Sequence, residues 1–326
     1  MDYPFCFCLF ITEKNNIIQN NNKLNFYSNG KLLITGEYAV LDGAKALALP
    51  TKFGQNLIIS NSIKNNLYWE SLDYNGAVWF TCKLTLPSLQ MDDSVKKKQI
   101  DIAKTLQFIL KEAQKLNPNF LVNNNSIHIK TNLTFDRNWG LGTSSTLINN
   151  IANWAKVDAF KLQLNTFGGS AYDIACAQND NSIIYQLKNN KPIVEVVNFN
   201  PNFKNQLYFV YLNKKKNSRI AIDNYQKIKN NKTELIKIIS TITNEILKTN
   251  SLVEFEKLLQ EHENIISNII KIEPIKQQLF KDYFGVIKSL GAWEGDFILA
   301  TGNTDTPKYF RDKGYETILS YDDMIL

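Results

Sequence analysis

The residues best suited to chemistry lie in one short loop, residues 139–146, whose sequence is Trp-Gly-Leu-Gly-Thr-Ser-Ser-Thr. Its two glycines can adopt positive φ and let a ligand approach the backbone closely. Its hydroxyl residues Thr143, Ser144 and Ser145 could bond phosphate oxygens or ligate Mg²⁺. A helix starting there would add unpaired N–H groups and the positive end of its dipole, which favour a bound anion. The loop therefore predicts a nucleotide-phosphate cradle, although a helix capped by Ser or Thr after a glycine turn fits the pattern equally well.

The segments on either side of this loop predict a strand before it and a helix after it. Residues 126–131 alternate polar and apolar side chains, which is the period of a half-buried strand. After the loop, apolar residues fall on one stripe at helical spacing, namely Leu147, Ile151 and Trp154, with Ile148, Ala152 and Ala155 beside them. A Walker A loop is excluded because no Lys follows the second glycine, and the dinucleotide-binding fingerprint is excluded because its third glycine is missing.

A second segment rich in small residues, 167–177, contains a lone carboxylate, Asp173. Small side chains allow a ligand to approach the backbone. An Asp that follows Gly and Ser is by default a turn or cap residue. The residue types alone therefore allow either a structural or a chemical role for Asp173.

The composition is that of an ordinary globular protein: 326 residues, 44% hydrophobic and 21% charged, with a net charge of +6. No basic block with interleaved aromatic residues is present, so we expect no nucleic-acid partner. The four cysteines form neither a metal-type pair of pairs nor a disulfide framework, which predicts a reducing, cytoplasmic location. They are Cys6, Cys8, Cys82 and Cys176. With only two histidines, a histidine-centred metal site or catalytic triad is not expected.

The first 22 residues differ in character from the rest of the chain. An apolar run at 5–11 is too short to span a bilayer, and an Asn-rich run follows it at 15–22. We predict that residues 1–22 form a disordered extension, with a membrane anchor as the alternative. No later stretch approaches a transmembrane span, so no membrane partner is expected.

The remaining pattern predicts two α+β domains, at 23–200 and 201–326. In the first, we predict strands at 46–50, 57–60, 67–69 and 77–81, an amphipathic helix within 95–116, and a hairpin formed by 183–187 and 193–197. In the second, we predict strands at 207–212, 296–300 and 316–320 and helices at 233–248, 252–271, 275–290 and 306–313.

Four segments, taken together, resemble the motifs of the GHMP kinase superfamily, which includes galactokinase and the homoserine, mevalonate and phosphomevalonate kinases. They are residues 30–41, 140–144, 169–175 and 289–297. The opening motif, Gly-Lys-Leu-Leu-Ile-Thr-Gly-Glu-Tyr-Ala-Val-Leu, is similar to that of the mevalonate and phosphomevalonate branch. Residues 171–175, Ala-Tyr-Asp-Ile-Ala, resemble the Gly-Tyr-Asp-Ile-Ala motif of a bacterial subgroup. Four motifs in the family order are hard to obtain by chance.

The resemblance implies a fold and a set of site residues. The fold would be an N-terminal domain like domain 2 of ribosomal protein S5 and a ferredoxin-like C-terminal domain, with ATP and substrate in the cleft between them. Asp173 would accept or orient the proton of the substrate hydroxyl, Lys31 would help to activate that hydroxyl, and Ser144 would reach Mg²⁺. The residues implied to bind ATP are Gly140, Leu141, Gly142, Thr143, Ser144 and Ser145, and those implied to bind substrate are Glu37, Tyr38 and Ser170.

Several residues depart from the family pattern. Asp136 stands where a Pro is expected before the loop of residues 139–146, called the phosphate loop from here on, and Ala171 replaces a Gly. Leu162 stands near the place of a helix Glu that binds Mg²⁺ in some relatives. In the last of these segments, residues 289–297, which resembles what the family counts as its third motif, Trp293 and Glu294 replace glycines. We predict that Glu294 points outward as a solvated loop residue, because an unpaired charge turned inward would be costly.

These features predict an ATP- and Mg²⁺-dependent kinase that phosphorylates a small-molecule alcohol or phosphate, most similar to mevalonate kinase. The alternatives are a phosphomevalonate or homoserine-type kinase, and a non-catalytic metabolite-binding protein that kept the fold. We expect a monomer or a homodimer whose partner is a small-molecule substrate.

Overall fold

The structure is a computed structural model that describes residues 23–62, 66–93, 95–122, 126–216, 218–228 and 232–326. The extension predicted at 1–22, and with it the alternative of a membrane anchor, lies outside these ranges. Among the helices that are described, none is long and apolar enough to cross a membrane.

The N-terminal part of the chain forms a seven-stranded sheet. Its strands are β1 (Lys23–Leu33), β2 (Ala46–Asn61), β3 (Asn66–Leu72), β4 (Val78–Thr85), β5 (Ile127–Leu133), β6 (Ile183–Lys188) and β7 (Lys191–Val196). The order is β4-β3-β5-β2-β6-β7, and β1 pairs with β2. Only the β3–β5 pair is parallel among these neighbours. The hairpin predicted around 183–197 is confirmed as β6 and β7.

Strand β2 joins two segments that the sequence predicts as separate strands. Its first residues pair with β6 and its last with β5, and β1 runs along most of its length. Pro50 lies between these two pairings, where the second neighbour is the C-terminal end of the chain. Thr51 forms an isolated bridge with Ile325, and the Pro50 carbonyl accepts the Leu326 N–H at 3.3 Å.

Four helices pack with one another and with this sheet. They are α1 (Ile100–Leu116), α2 (Thr143–Ala155), α3 (Ala159–Thr166) and α4 (Tyr172–Ala177). The core between them contains Trp69 and Ile129 from the sheet and Leu106 and Ile151 from the helices. The strand and the helix predicted around the phosphate loop are confirmed as β5 and α2.

The C-terminal part forms a second, four-stranded antiparallel sheet with the order β11-β8-β10-β9. Its strands are β8 (Leu207–Tyr211), β9 (Ile287–Ser289), β10 (Phe297–Thr301) and β11 (Ile318–Ser320). The helices of this part are α5 (Ser218–Gln226), α6 (Thr233–Lys248), α7 (Leu252–Ile270), α8 (Ile275–Leu279), α9 (Thr306–Asp312) and α10 (Tyr321–Met324).

The helix predicted at 275–290 is wrong beyond Leu279. Phe280 and Tyr283 turn inward and pack against the ring of Phe310, and the chain then enters β9. This aromatic packing outweighs the helical pattern of the sequence. Helix α5 was not predicted, because it follows a basic run that gave no apolar stripe.

Apolar side chains connect the two sheets. One core cluster contains Leu32 of β1 and Ile34, which follows this strand, together with Phe199, Phe209 and Phe297 from the second half of the chain. The domain boundary expected near residue 200 falls between β7 and β8 and stays a prediction. The junction of the two sheets is nevertheless the place where all four motifs converge, as the site geometry shows.

Candidate active site

A cavity of about 460 Å³ lies between the two halves of the chain. It is lined by residues of β1, of the phosphate loop, of the segment before α4, of the loop before α5 and of residues 291–296. The structure therefore brings all four motifs to one place. The site residues predicted from the sequence that line this cavity are Lys31, Glu37, Tyr38, Gly140, Gly142, Thr143, Ser144, Ser145, Ser170 and Asp173.

Leu141 alone among the predicted residues has no place in the cavity wall. Its side chain is buried in the core, and its carbonyl accepts a hydrogen bond from the Lys31 N–H at 3.1 Å. This bond fixes the phosphate loop to strand β1. Leu141 therefore holds the loop in position from behind.

The phosphate loop ends in an uncapped helix. Gly142 takes φ +91° and α2 starts at Thr143 without a side-chain cap. The Ser145 hydroxyl donates to the Gly142 carbonyl at 2.9 Å, whereas Ser144 is exposed on the cavity side. No acceptor among the described residues bonds the N–H groups of 143–145. Because no side chain satisfies these donors, the geometry favours the anion-cradle interpretation over an ordinary capped helix.

Lys31 and Asp173 face each other across the cavity floor. The Lys31 Nζ lies 3.4 Å from Asp173 Oδ1, and the two side chains are 15% and 27% exposed. Burial opposes the charge on Lys31, but the neighbouring Tyr172 and Asp173 outweigh it, so the pKa of Lys31 lies above its ordinary value. Lys31 therefore stays protonated beside a carboxylate that a ligand can still reach.

The segment before α4 uses left-handed backbone to present Asp173. Gly168, Gly169 and Ala171 have φ +65°, +80° and +61°. Ala171, which replaces the family glycine, thus adopts a conformation that costs an L-residue energy, and it is held there by burial. The Tyr185 hydroxyl donates to the Ser170 carbonyl and fixes this turn.

Glu37 does not present its carboxylate to the cavity. Its side chain is fully buried and lies 2.5 Å from the Lys288 Nζ. Tyr38, next to it, donates its hydroxyl to the Ala292 carbonyl at 3.0 Å. The substrate contact expected of Glu37 therefore is not supported by its side-chain position, and substrate contacts of Tyr38 and Ser170 stay predictions.

Glu37 belongs to a group of four buried residues, here called the sealed cluster: Glu37, Glu263, Lys288 and His262. Lys288 also lies 3.3 Å from Glu263, whose carboxylate accepts the N–H and hydroxyl of Ser289. The His262 Nε2 accepts the Gly36 N–H at 2.9 Å. Burial raises the pKa of Glu37 to about 7, although Lys288 counteracts it. Burial and Lys288 lower the pKa of His262 well below its ordinary value.

Sequence reasoning missed Asp296, Lys215 and Lys216, which also line the cavity. An Asp within a glycine-rich motif and a run of three lysines were the signals that could have found them. Lys216 pairs with Glu294 at 2.8 Å, and Glu294 is partly exposed, consistent with the solvated position expected of it. Lys215 donates to the Arg137 carbonyl at 2.7 Å, and burial lowers its pKa.

The two departures in α3 and the third motif are explained by packing. Leu162 is buried in the core, so it offers no metal ligand. Its neighbour Gln163 lines the cavity, and its Oε1 is buried without a hydrogen-bond partner. The side chain of Trp293 points from the third-motif loop into the core, where its indole fills space that a glycine would leave empty.

A second, smaller cavity of about 180 Å³ adjoins the phosphate loop. It shares Thr143, Ser144 and Phe167 with the first cavity. Its other walls are mainly aromatic and aliphatic side chains of β3, β4, α1 and α2, namely Trp69, Trp79, Phe80, Ile102, Leu106, Ile109 and Leu147. A flat apolar group attached to a phosphate chain would suit this slot.

Comparisons with known proteins give matches at the level of structure only. No protein-family model and no curated protein matches the sequence. Mevalonate kinase of Methanococcus jannaschii is similar with a TM-score of 0.66 and 16% identity, over 92% of this chain and 98% of that one. Phosphomevalonate kinase of Streptococcus pneumoniae, solved with phosphomevalonate and AMPPNP, gives 0.65 and 14%, over 91% and 99%. Galactokinase of Lactococcus lactis, solved with galactose, gives 0.64 and 12%, over 89% and 88%.

These three proteins are GHMP kinases, and the alignments span nearly the whole of each chain. The α+β fold expected from the four motifs is therefore confirmed: this chain has the GHMP kinase fold.

Proposed function

We propose that this protein is an ATP-dependent kinase that transfers a phosphoryl group to a small molecule. The observation that carries the proposal is that the Lys31–Asp173 pair and the uncapped start of α2 line one cavity. One feature suits an acceptor hydroxyl and the other suits a phosphate chain. The fold, shared with three kinases of different substrates, supports the same conclusion.

The nucleotide would lie along the phosphate loop. The free N–H groups at the start of α2 and the Ser144 hydroxyl would bind phosphate oxygens, and the apolar slot beside them would take the base. This arrangement gives roles to Gly140, Gly142 and Thr143 as a backbone cradle. The structural relative that was solved with AMPPNP is consistent with ATP as the nucleotide.

The residues present also fit Mg²⁺. Ser144 offers an exposed hydroxyl, and the Gln163 Oε1 is an orphaned, buried oxygen on the same cavity wall. Hard oxygen donors of this kind are those that Mg²⁺ prefers, together with phosphate oxygens and water. When bound, the cation would neutralise charge on the phosphates.

Asp173 would receive or orient the proton of the acceptor hydroxyl. Lys31, kept charged by its neighbours, would hold that carboxylate in place and stabilise the negative charge that develops on the acceptor oxygen. Phosphoryl transfer needs mainly positioning and charge stabilisation, so this small set of groups is sufficient.

For the substrate we propose a mevalonate-like alcohol, with a phosphomevalonate-type or homoserine-type acceptor as the alternatives. The opening motif, with Tyr38 held against the third motif, favours the mevalonate and phosphomevalonate branch. A non-catalytic metabolite-binding role is the alternative from another class. We propose a cytoplasmic monomer or homodimer without nucleic-acid or membrane partners.

The test is ADP release by the purified protein with ATP and Mg²⁺, over mevalonate, phosphomevalonate, homoserine and galactose. We expect one acceptor to raise ADP release well above the rate with ATP alone, and the increase to vanish in Asp173→Asn. Binding of ATP and of an acceptor without ADP release from any of them would instead support the non-catalytic role.

A further inference from the structure

The carboxylate of Asp296 lies directly against the phosphate loop. A Cβ placed on Gly140 would lie 2.4 Å from the Cγ of Asp296 and 2.5 and 2.7 Å from its two oxygens. A side chain at position 140 would force the Asp296 side chain to shift, and the φ of +72° at this position itself favours glycine. The contact places an acidic group on the wall of the cavity that holds the phosphate cradle.

One oxygen of this carboxylate remains available. Oδ1 accepts the Lys216 N–H at 3.1 Å, and no other described residue donates a hydrogen bond to the carboxylate. Burial raises the pKa of Asp296, and the Lys216 N–H and the charges of Lys31, Lys215 and Lys216 offset only part of that rise. The geometry leaves its second oxygen free to contact a ligand in the cavity.

The loop that holds Asp296 against Gly140 has a strained backbone. Trp293, Glu294 and Asp296 have φ +57°, +56° and +53°, a region that side-chain-bearing residues rarely occupy. Two backbone hydrogen bonds fix Asp296: its N–H donates to the Lys214 carbonyl at 2.7 Å, and its carbonyl accepts the Leu212 N–H at 2.8 Å. Such strain persists where the surroundings over-determine it, and it concentrates at ligand sites.

A carboxylate next to a triphosphate would repel it unless a cation lies between them. We propose that Asp296 is a ligand of the divalent cation that accompanies the nucleotide, an inference that rests on the proposed function. It would supply the carboxylate that Leu162 cannot. The unpartnered Gln163 Oε1 on the same cavity independently indicates room for an oxygen-seeking ligand. One carboxylate with phosphate and water oxygens is an ordinary environment for Mg²⁺ in proteins.

The test compares Asp296→Asn with Glu294→Gln in calorimetric titrations of AMPPNP, with and without Mg²⁺. Asn tolerates the left-handed backbone and can still accept the Lys216 N–H, so the variant removes the charge alone. Glu294→Gln removes one negative charge from the same loop at a residue that instead pairs with Lys216. Electron paramagnetic resonance of Mn²⁺ in the nucleotide complex provides a second readout that is independent of activity.

In the wild type and in Glu294→Gln we expect Mg²⁺ to strengthen AMPPNP binding to a similar degree. In Asp296→Asn we expect the enhancement to fall by about tenfold or more, with tighter metal-free binding because a repulsion is gone, and an altered Mn²⁺ signal. Full enhancement in Asp296→Asn would overturn the inference. If AMPPNP binding were weakened equally with and without Mg²⁺, the inference would also be overturned, since Asp296 would then only position the loop of Lys215 and Lys216. Absence of AMPPNP binding in the wild type would remove the proposed function itself, and this inference with it.

Discussion

The Lys31–Asp173 pair and the sealed cluster each join a lysine to a carboxylate, but only the first can contact a ligand. Lys31 and Asp173 retain some exposure, whereas Glu37, Lys288 and His262 have none. An exposed pair can exchange a proton with a substrate. A cluster without solvent contact can only fix geometry, here by joining the turn at Gly36 to α7 and β9. Because Asp173 is partly exposed and Glu37 is fully buried, Asp173 can react with a ligand, whereas Glu37 can only stabilise the fold.

If this contrast is correct, removing the charge of Asp173 impairs the reaction and leaves the fold intact. We expect Asp173→Asn to lower kcat by about 10²–10⁴-fold, because a positioned base is lost. The affinity for AMPPNP should change by less than about threefold, equivalent to less than 1 kcal/mol. Steady-state kinetics and calorimetry on the purified variant measure both.

The control is Asp158→Asn, the same chemical change at the N-cap of α3, where Asn also caps well. It should retain wild-type turnover. If Asp173→Asn lost activity only in proportion to its folded fraction, Asp173 would be a structural cap and the contrast would fail.

The sealed cluster should show the opposite behaviour. Lys288→Met leaves Glu37 and Glu263 buried without their cation, so we expect a loss of about 3–5 kcal/mol in the free energy of unfolding. Urea denaturation measures it. The matched control is Lys308→Met, which breaks an exposed pair with Asp312 and should leave the free energy of unfolding nearly unchanged. Equal stability of the two variants would show that the sealed cluster is not what joins the turn at Gly36 to α7 and β9.

The same cluster predicts a pH dependence of stability. The pKa of Glu37 rises from 4.5 to about 7 on folding, so the folded protein holds a proton that the unfolded chain has lost. This contribution is complete below pH 4.5 and disappears as the pH rises through 7. We expect the wild type to lose up to about 3 kcal/mol relative to Glu37→Gln between pH 5 and pH 8.

Denaturant titrations of both proteins at the two pH values test this. His262, whose pKa is lowered, gives the opposite slope at acidic pH. Its Nε2 lies 3.4 Å from the Glu37 Oε2, so the comparison reports the change at both groups. Parallel stability curves for the wild type and Glu37→Gln would contradict a raised pKa of Glu37.

The smallest effect is expected at Glu294, which lies on the same loop as Asp296 but pairs with Lys216 near solvent. Glu294→Gly should change the KM for Mg·ATP by less than about threefold, equivalent to less than 1 kcal/mol. A titration of Mg²⁺ at fixed ATP measures it. A much higher Mg²⁺ requirement would make Glu294 rather than Asp296 the metal-binding residue, and much tighter ATP binding would make Glu294 a repulsive group.

Features that depend on local sequence pattern could be predicted. The strand, loop and helix around Gly142 and the hairpin β6–β7 follow from periodicity and turn residues, and the four motifs together predict the fold.

The burial of the two acids could not be predicted in this way. Glu37 and Asp173 look alike in sequence, because each is a lone acid in a glycine-containing segment. Which of them is buried depends on Lys288 and α7, more than 200 residues from Glu37.

Two other features depend on contacts between distant segments. The helix at 275–290 ends early because Phe280 and Tyr283 find aromatic partners such as Phe310, and nothing within that segment indicates it. Asp296 acquires its position only because the third-motif loop folds against Gly140. Sequence spacing does not reveal either contact.

The most direct test of the central claim, that the nucleotide lies on the phosphate loop in this cavity, is calorimetric titration of AMPPNP into Gly142→Val. A side chain there would require the left-handed backbone and would meet the Ser145 hydroxyl at 2.8 Å. Gly76→Val imposes a similar backbone strain at a turn with open space around it and serves as the control. We predict that Gly76→Val binds AMPPNP as the wild type does and that folded Gly142→Val binds it at least about tenfold more weakly. Unchanged affinity in folded Gly142→Val, with a melting temperature close to that of Gly76→Val, would contradict this placement of the nucleotide.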